Sequence, residues 1–145
     1  MEKRLATLSD LEQEAVRFAH ELVPTPHTAT LITLSGELGA GKTAFVKAVA
    51  QAYGIVETVT SPTFVLEKIY VLSDTQPFKR LVHIDAYRLE KAVELASLGF
   101  DELLQDKGNL ILLEWPERVQ EALPIAHQRL SFAVEQSGAR IISYG

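Results

Sequence analysis

The chain has 145 residues, 47% of them apolar and 23% charged, which is enough for one α/β domain with a substantial core over residues 1–145. A formal net charge of −5 argues against a broad nucleic-acid surface, and the lack of cysteine excludes disulfides, thiolate metal sites and cysteine nucleophiles. No run approaches the length of a membrane span, and Met1 to Leu5 lead into a polar amphipathic pattern rather than an apolar signal segment, so a cytoplasmic protein with no membrane partner is expected.

In chain order, Ser9 or Asp10 is placed to cap a helix through Leu11, Ala15, Phe18, Ala19 and Leu22, stopped by Pro24 and Pro26. Ala29 to Ser35 is apolar and β-branched, as a buried strand should be. A second helix carries Ala44, Phe45, Ala48, Val49 and Ala52 at helical spacing and ends near Gly54. After a loop over 58–63, residues 64–72 and 80–85 read as strands of an antiparallel hairpin. Leu89 to Leu98 reads as a short helix ended by Gly99, and Leu110 to Leu113 as a central parallel strand. Pro116 is placed to open a helical turn. His127 to Glu135 and Ala139 to Tyr144 read as a closing hairpin.

Between the first strand and the second helix lies Gly36-Glu37-Leu38-Gly39-Ala40-Gly41-Lys42-Thr43, a complete G-x-x-x-x-G-K-T phosphate-binding loop. Glycines let successive backbone N–H groups turn inward, where they and the positive end of the following helix meet phosphates. Lys42 supplies a mobile charge for the β- and γ-phosphates, and the Thr43 hydroxyl is a ligand for Mg²⁺. A glycine-rich turn with a fortuitous lysine is the alternative. The strand before it and the helix after it favour the nucleotide site.

A Mg–nucleotide enzyme needs acids at the carboxyl edge of its sheet. Asp85 and Glu114 each end an apolar run there, so one can hold the metal while the other polarises water. The spacing does not say which, and either acid alone also reads as a turn cap. Ser61 and Thr63 supply hydroxyls in the loop where P-loop hydrolases sense the γ-phosphate, or simply a turn. Arg88 reads as an arginine finger or as a surface ion-pair partner, and His83 as a hydrogen-bonded core histidine. No N-K-x-D segment is present for guanine, which favours ATP.

The phosphate loop, Ser61-Pro62-Thr63-Phe64, His83-Ile84-Asp85-Ala86-Tyr87-Arg88-Leu89 and Leu113-Glu114-Trp115-Pro116 together resemble the TsaE family, also called YjeE, over nearly the whole chain. The resemblance implies a P-loop NTPase fold with a mixed central sheet flanked by helices. It implies an ATPase for N6-threonylcarbamoyladenosine at position 37 of tRNAs reading codons that begin with A. Such a protein docks on a TsaB–TsaD heterodimer and meets tRNA only through that complex. By position, Glu37, Leu38, Gly39, Ala40, Gly41, Lys42 and Thr43 hold the nucleotide, Glu114 is the Walker B acid, Asp85 is a second acid, and Ser61 and Thr63 lie in a switch-like loop. Adenine contacts are expected around Leu8 to Leu11. A small-molecule kinase and a non-hydrolysing, ATP-dependent docking switch are the alternatives.

Overall fold

The computed structural model describes residues 1–56 and 67–145. Its seven strands are β1 (Glu2–Leu5), β2 (Thr30–Gly36), β3 (Glu67–Val71), β4 (Arg80–Asp85), β5 (Asn109–Glu114), β6 (Gln128–Val134) and β7 (Arg140–Tyr144). The helices are α1 (Leu8–Glu21), α2 (Lys42–Ala52) and α3 (Phe100–Leu104), with 3₁₀ turns at Ala92–Leu98, Pro116–Arg118 and Gln120–Ala122. The strands form one sheet in the order β1-β7-β6-β2-β5-β4-β3. Its centre, β6-β2-β5-β4, is parallel, and the antiparallel partners β3, β7 and β1 lie outside it.

The central strands are apolar without interruption because both their faces are covered. Leu110 and Leu112 of β5 join Phe18 of α1 and Phe45 and Val49 of α2 in one core. Ile111 and Leu113 point the other way, to Leu95, Phe100 and Val119. Each of these buried aliphatic side chains contributes about 1.5–3 kcal/mol to the fold.

Four local features differ from the sequence expectation. The N-cap of α1 is Thr7 rather than Ser9 or Asp10: its hydroxyl accepts from Asp10 N (3.1 Å), while the Asp10 carboxylate accepts from Thr7 N (3.2 Å). This reciprocal box satisfies two donors at once and sets the helix start. The expected helix over 89–98 is a 3₁₀ turn that starts only at Ala92, where the Glu94 carboxylate reaches back to accept from Glu90 N (2.9 Å) and Lys91 N (3.5 Å) and caps its first turn. Gly99 ends that turn with φ 73°, and α3, unforeseen, starts at once and buries Phe100. Polar β1 is also unforeseen; it exists by pairing with β7.

The remaining strands, α2 and the turn opened by Pro116 agree closely with expectation, and the 3₁₀ turn Gln120–Ala122 is an addition to it. Both hairpins are antiparallel, β5 is central and parallel, and Gly54 follows α2 at φ 86°. Residues 64–66 of the expected first hairpin lie outside the described residues.

Candidate nucleotide site

The site forms where the carboxyl ends of β2, β4 and β5 meet the start of α2. Gly36 leaves β2 with φ 139°, and a Cβ there would lie 2.4 Å from the Phe132 carbonyl oxygen of the paired strand. Only glycine permits that approach. Gly39 and Gly41 also have positive φ (80° and 107°), and Gly41 is the N-cap of α2. Glu37, Leu38 and Gly39 are exposed, whereas Ala40 is buried and its N–H closes onto the Glu37 carbonyl at 3.1 Å. The loop therefore presents backbone to solvent on a buried anchor, with the start of α2, which among the described residues has no side-chain cap, behind it.

Lys42 is 4% exposed. Its ammonium donates to the carbonyls of Gly36 and, at 3.5 Å, Glu37, and lies 3.8 Å from the centroid of the Trp115 ring. Burial pushes its pKa below the usual lysine range, against the opposing pull of Glu114, Glu117 and Asp85. Trp115 has φ 62°, a left-handed conformation that costs a bulky residue about 1–3 kcal/mol. The surrounding contacts hold it there: its N–H donates to Leu34 O (3.1 Å), and its ring lies 4.9 Å from that of Tyr87.

Asp85 and Glu114 are direct neighbours in the parallel register of β4 and β5. Glu114 is 2% exposed, and its Oε2 lies 3.5 Å from Thr43 Oγ1 and 2.6 Å from His83 Nε2. Asp85 is half-buried and accepts from Tyr87 N at 3.0 Å. The two acids, Lys42 and Thr43 thus share one edge of the sheet, whereas Ser61 and Thr63 lie outside the described residues. Arg88 is exposed on the segment after β4.

Two hard carboxylates and a hydroxyl suit Mg²⁺, which commonly takes one or two carboxylates together with substrate phosphates. Among the described residues no three His, Asp or Glu side chains gather into a dedicated metal cage. The donor set therefore fits a cation brought with a nucleotide.

Sequence reading missed Arg140. From β7 it donates to the Gly39 carbonyl of the phosphate loop (3.2 Å) and to the Gly138 carbonyl (2.8 Å). With Leu5, Leu8, Leu11, Gly41 and Ala44 it lines a cavity of about 220 Å³ beside the loop. No local signal in the sequence marks a residue 101 positions away as a neighbour of Gly39. Two larger clefts, of about 530 and 550 Å³, are lined by none of Lys42, Thr43, Asp85 or Glu114.

The glycine loop between β2 and α2, at the carboxyl edge of the parallel centre of a mixed sheet, defines the class: this is a P-loop NTPase fold. A family model described as threonylcarbamoyl adenosine biosynthesis protein TsaE matches residues 9–142, and the chain belongs to that family. It is 39% identical over 108 residues to the tRNA threonylcarbamoyladenosine biosynthesis protein TsaE of Bacillus subtilis, a match that spans 74% of this chain and 63% of that protein. It is 38% identical over 114 residues to the protein of the same name from Treponema pallidum, spanning 79% of this chain and 80% of the relative. The crystal structure of Bacillus subtilis YdiB superposes with a TM-score of 0.77 at 27% identity, covering 99% of this chain and 83% of that one. Among the described residues no helix is long and apolar enough to cross a membrane.

Proposed function

We propose that the protein is a Mg²⁺-dependent ATPase of the cytoplasm. It docks on a TsaB–TsaD heterodimer and supports formation of N6-threonylcarbamoyladenosine at position 37 of tRNAs that read codons beginning with A. The observation that carries the catalytic part is the meeting of Lys42, Thr43, Asp85 and Glu114 at one sheet edge, beside an open phosphate loop. The relatives' names and the family match carry the pathway. The net charge of −5 suits a protein that meets tRNA only through its partners.

In this reading the backbone N–H groups from Gly39 to Thr43 and the start of α2 hold the phosphates. Glu37, Leu38 and Ala40 shape the loop. Lys42 leaves the Gly36 carbonyl for the β- and γ-phosphate oxygens, keeping its charge at the atoms that become more negative during transfer. Thr43 and Glu114, already neighbours, hold Mg²⁺, which when bound neutralises charge on the phosphoryl oxygens. Asp85, in register beside Glu114, orients the attacking water. The cavity between Leu8, Leu11, Ala44 and Arg140 takes the adenosine end, and Ser61 and Thr63 sense the γ-phosphate.

Titration of a fluorescent ADP analogue with and without Mg²⁺ tests the site. Thr43→Ala is expected to remove most of the Mg²⁺-dependent gain in affinity while leaving Mg²⁺-independent binding. An undiminished Mg²⁺ effect in that variant would overturn the assignment of Thr43.

A further inference from the structure

His83 is fully buried on β4, two residues before Asp85, so strand alternation places both side chains on the α2 side of the sheet with Glu114. Its Nε2 lies 2.6 Å from Glu114 Oε2, the same oxygen that lies 3.5 Å from Thr43 Oγ1. Among the described residues its Nδ1 is buried with no hydrogen-bond partner. A hydrogen on Nδ1 would be a buried donor with nothing to meet, which costs more than a bare lone pair in the same place. The tautomer that avoids this carries its hydrogen on Nε2, where it is donated to Glu114.

We propose that His83 is the positioning residue of the nucleotide site: its Nε2–H holds the Glu114 carboxylate in the rotamer that faces Thr43. This rests on the reading of Glu114 as the acid of a Mg–ATP site. A glutamate has three side-chain torsions, and a carboxylate freed from one hydrogen bond can turn away from the metal position. A fixed donor behind it removes that freedom, as outer-shell partners do for metal ligands generally. A packing role alone would require only an apolar side chain at this position. The imidazole is instead aimed, through its one satisfied nitrogen, at the one acid that also neighbours the phosphate-loop threonine.

Two amide substitutions separate the roles. Glutamine carries its NH₂ at about the reach of Nε2, whereas asparagine places it near Nδ1. The Mg²⁺ concentration for half-maximal binding of a fluorescent ADP analogue is measured for wild type, His83→Gln, His83→Asn and Glu114→Gln, with urea unfolding as the check on folding. His83→Gln is expected to stay close to wild type. His83→Asn is expected to need roughly 10- to 100-fold more Mg²⁺, the usual loss for an outer-shell partner. Equal Mg²⁺ requirements in the two folded amide variants would overturn the proposal.

A two-bond ¹H–¹⁵N histidine spectrum of the wild type stands independently of the variants' folding. The chain has four histidines, and His83→Gln identifies the His83 signals by their loss. An Nε2–H tautomer is expected, and an Nδ1–H tautomer would overturn the proposal. A wild-type Mg²⁺ requirement in Glu114→Gln would instead show that the underlying reading of Glu114 fails, taking the role of His83 with it. A normal His83→Asn beside an impaired Glu114→Gln would remove His83 alone.

Discussion

Lys42 is buried, yet it is a cation with two carbonyls beneath it and an indole above it. Both kinds of contact can be exchanged for phosphate oxygens, which are stronger partners for an ammonium. Lys42→Ala is expected to weaken ATP binding roughly 10- to 100-fold, the loss of a charge-assisted hydrogen bond or two, as read by calorimetric titration. Trp115 offers a direct readout, being the only tryptophan of the chain. When Lys42 leaves its ring for a phosphate, the indole emission is expected to change in intensity. Lys42→Ala is expected to abolish that change, and a change of full size in Lys42→Ala would show that Trp115 reports something else. Gly36 makes the complementary case on the backbone. Gly36→Ala would set a Cβ 2.4 Å from the Phe132 carbonyl oxygen, so a loss of about 2–4 kcal/mol is expected in urea unfolding.

Glu14 binds three elements together. It is 6% exposed and accepts from Lys3 of β1 (3.0 Å), from Arg17 of α1 (2.5 Å and 2.9 Å) and from Tyr144 of β7. Burial alone would raise its pKa, but the hydrogen bonds from Arg17, Tyr144 and Lys3 together outweigh burial and hold it at about 2, against an ordinary 4.5. The unfolded chain therefore takes up this proton first as pH falls. The resulting stabilisation is complete above pH 4.5 and is lost as pH drops towards 2, a change on the order of a few kcal/mol. Urea midpoints measured from pH 5 to pH 2 are expected to fall more steeply for wild type than for Glu14→Gln. Parallel curves would remove Glu14 from this role.

At this same scale the sequence was readable where a rule is local and opaque where it is not. The phosphate loop, α2, the two hairpins and β5 follow from glycine placement and apolar period, and over the described residues each stands where expected. β1 has no apolar period of its own and is made by β7. The start of the 3₁₀ turn at 92–98 depends on where one glutamate side chain reaches. Asp85 and Glu114 were visible as strand-end acids, but their adjacency is a matter of strand order. His83 was legible as a bonded core histidine, and its partner was not. Arg140 gave no signal, because its contact with Gly39 exists only once the sheet has closed.

At the scale of the molecule, the two-sided core makes a rigid platform and leaves the phosphate loop on an exposed edge. A site built this way is open to a nucleotide and to a protein that covers it. Basal hydrolysis is expected to be slow, since an arginine finger supplied by a partner is worth about 10³–10⁵ in rate. The central claim is therefore tested most directly by phosphate release from ATP, measured for the purified protein alone and then with the TsaB–TsaD heterodimer. The expected result is a low rate alone and a strong stimulation by the heterodimer that disappears in Lys42→Ala. Rapid hydrolysis without any partner, or binding to the heterodimer with no rise in rate, would contradict it.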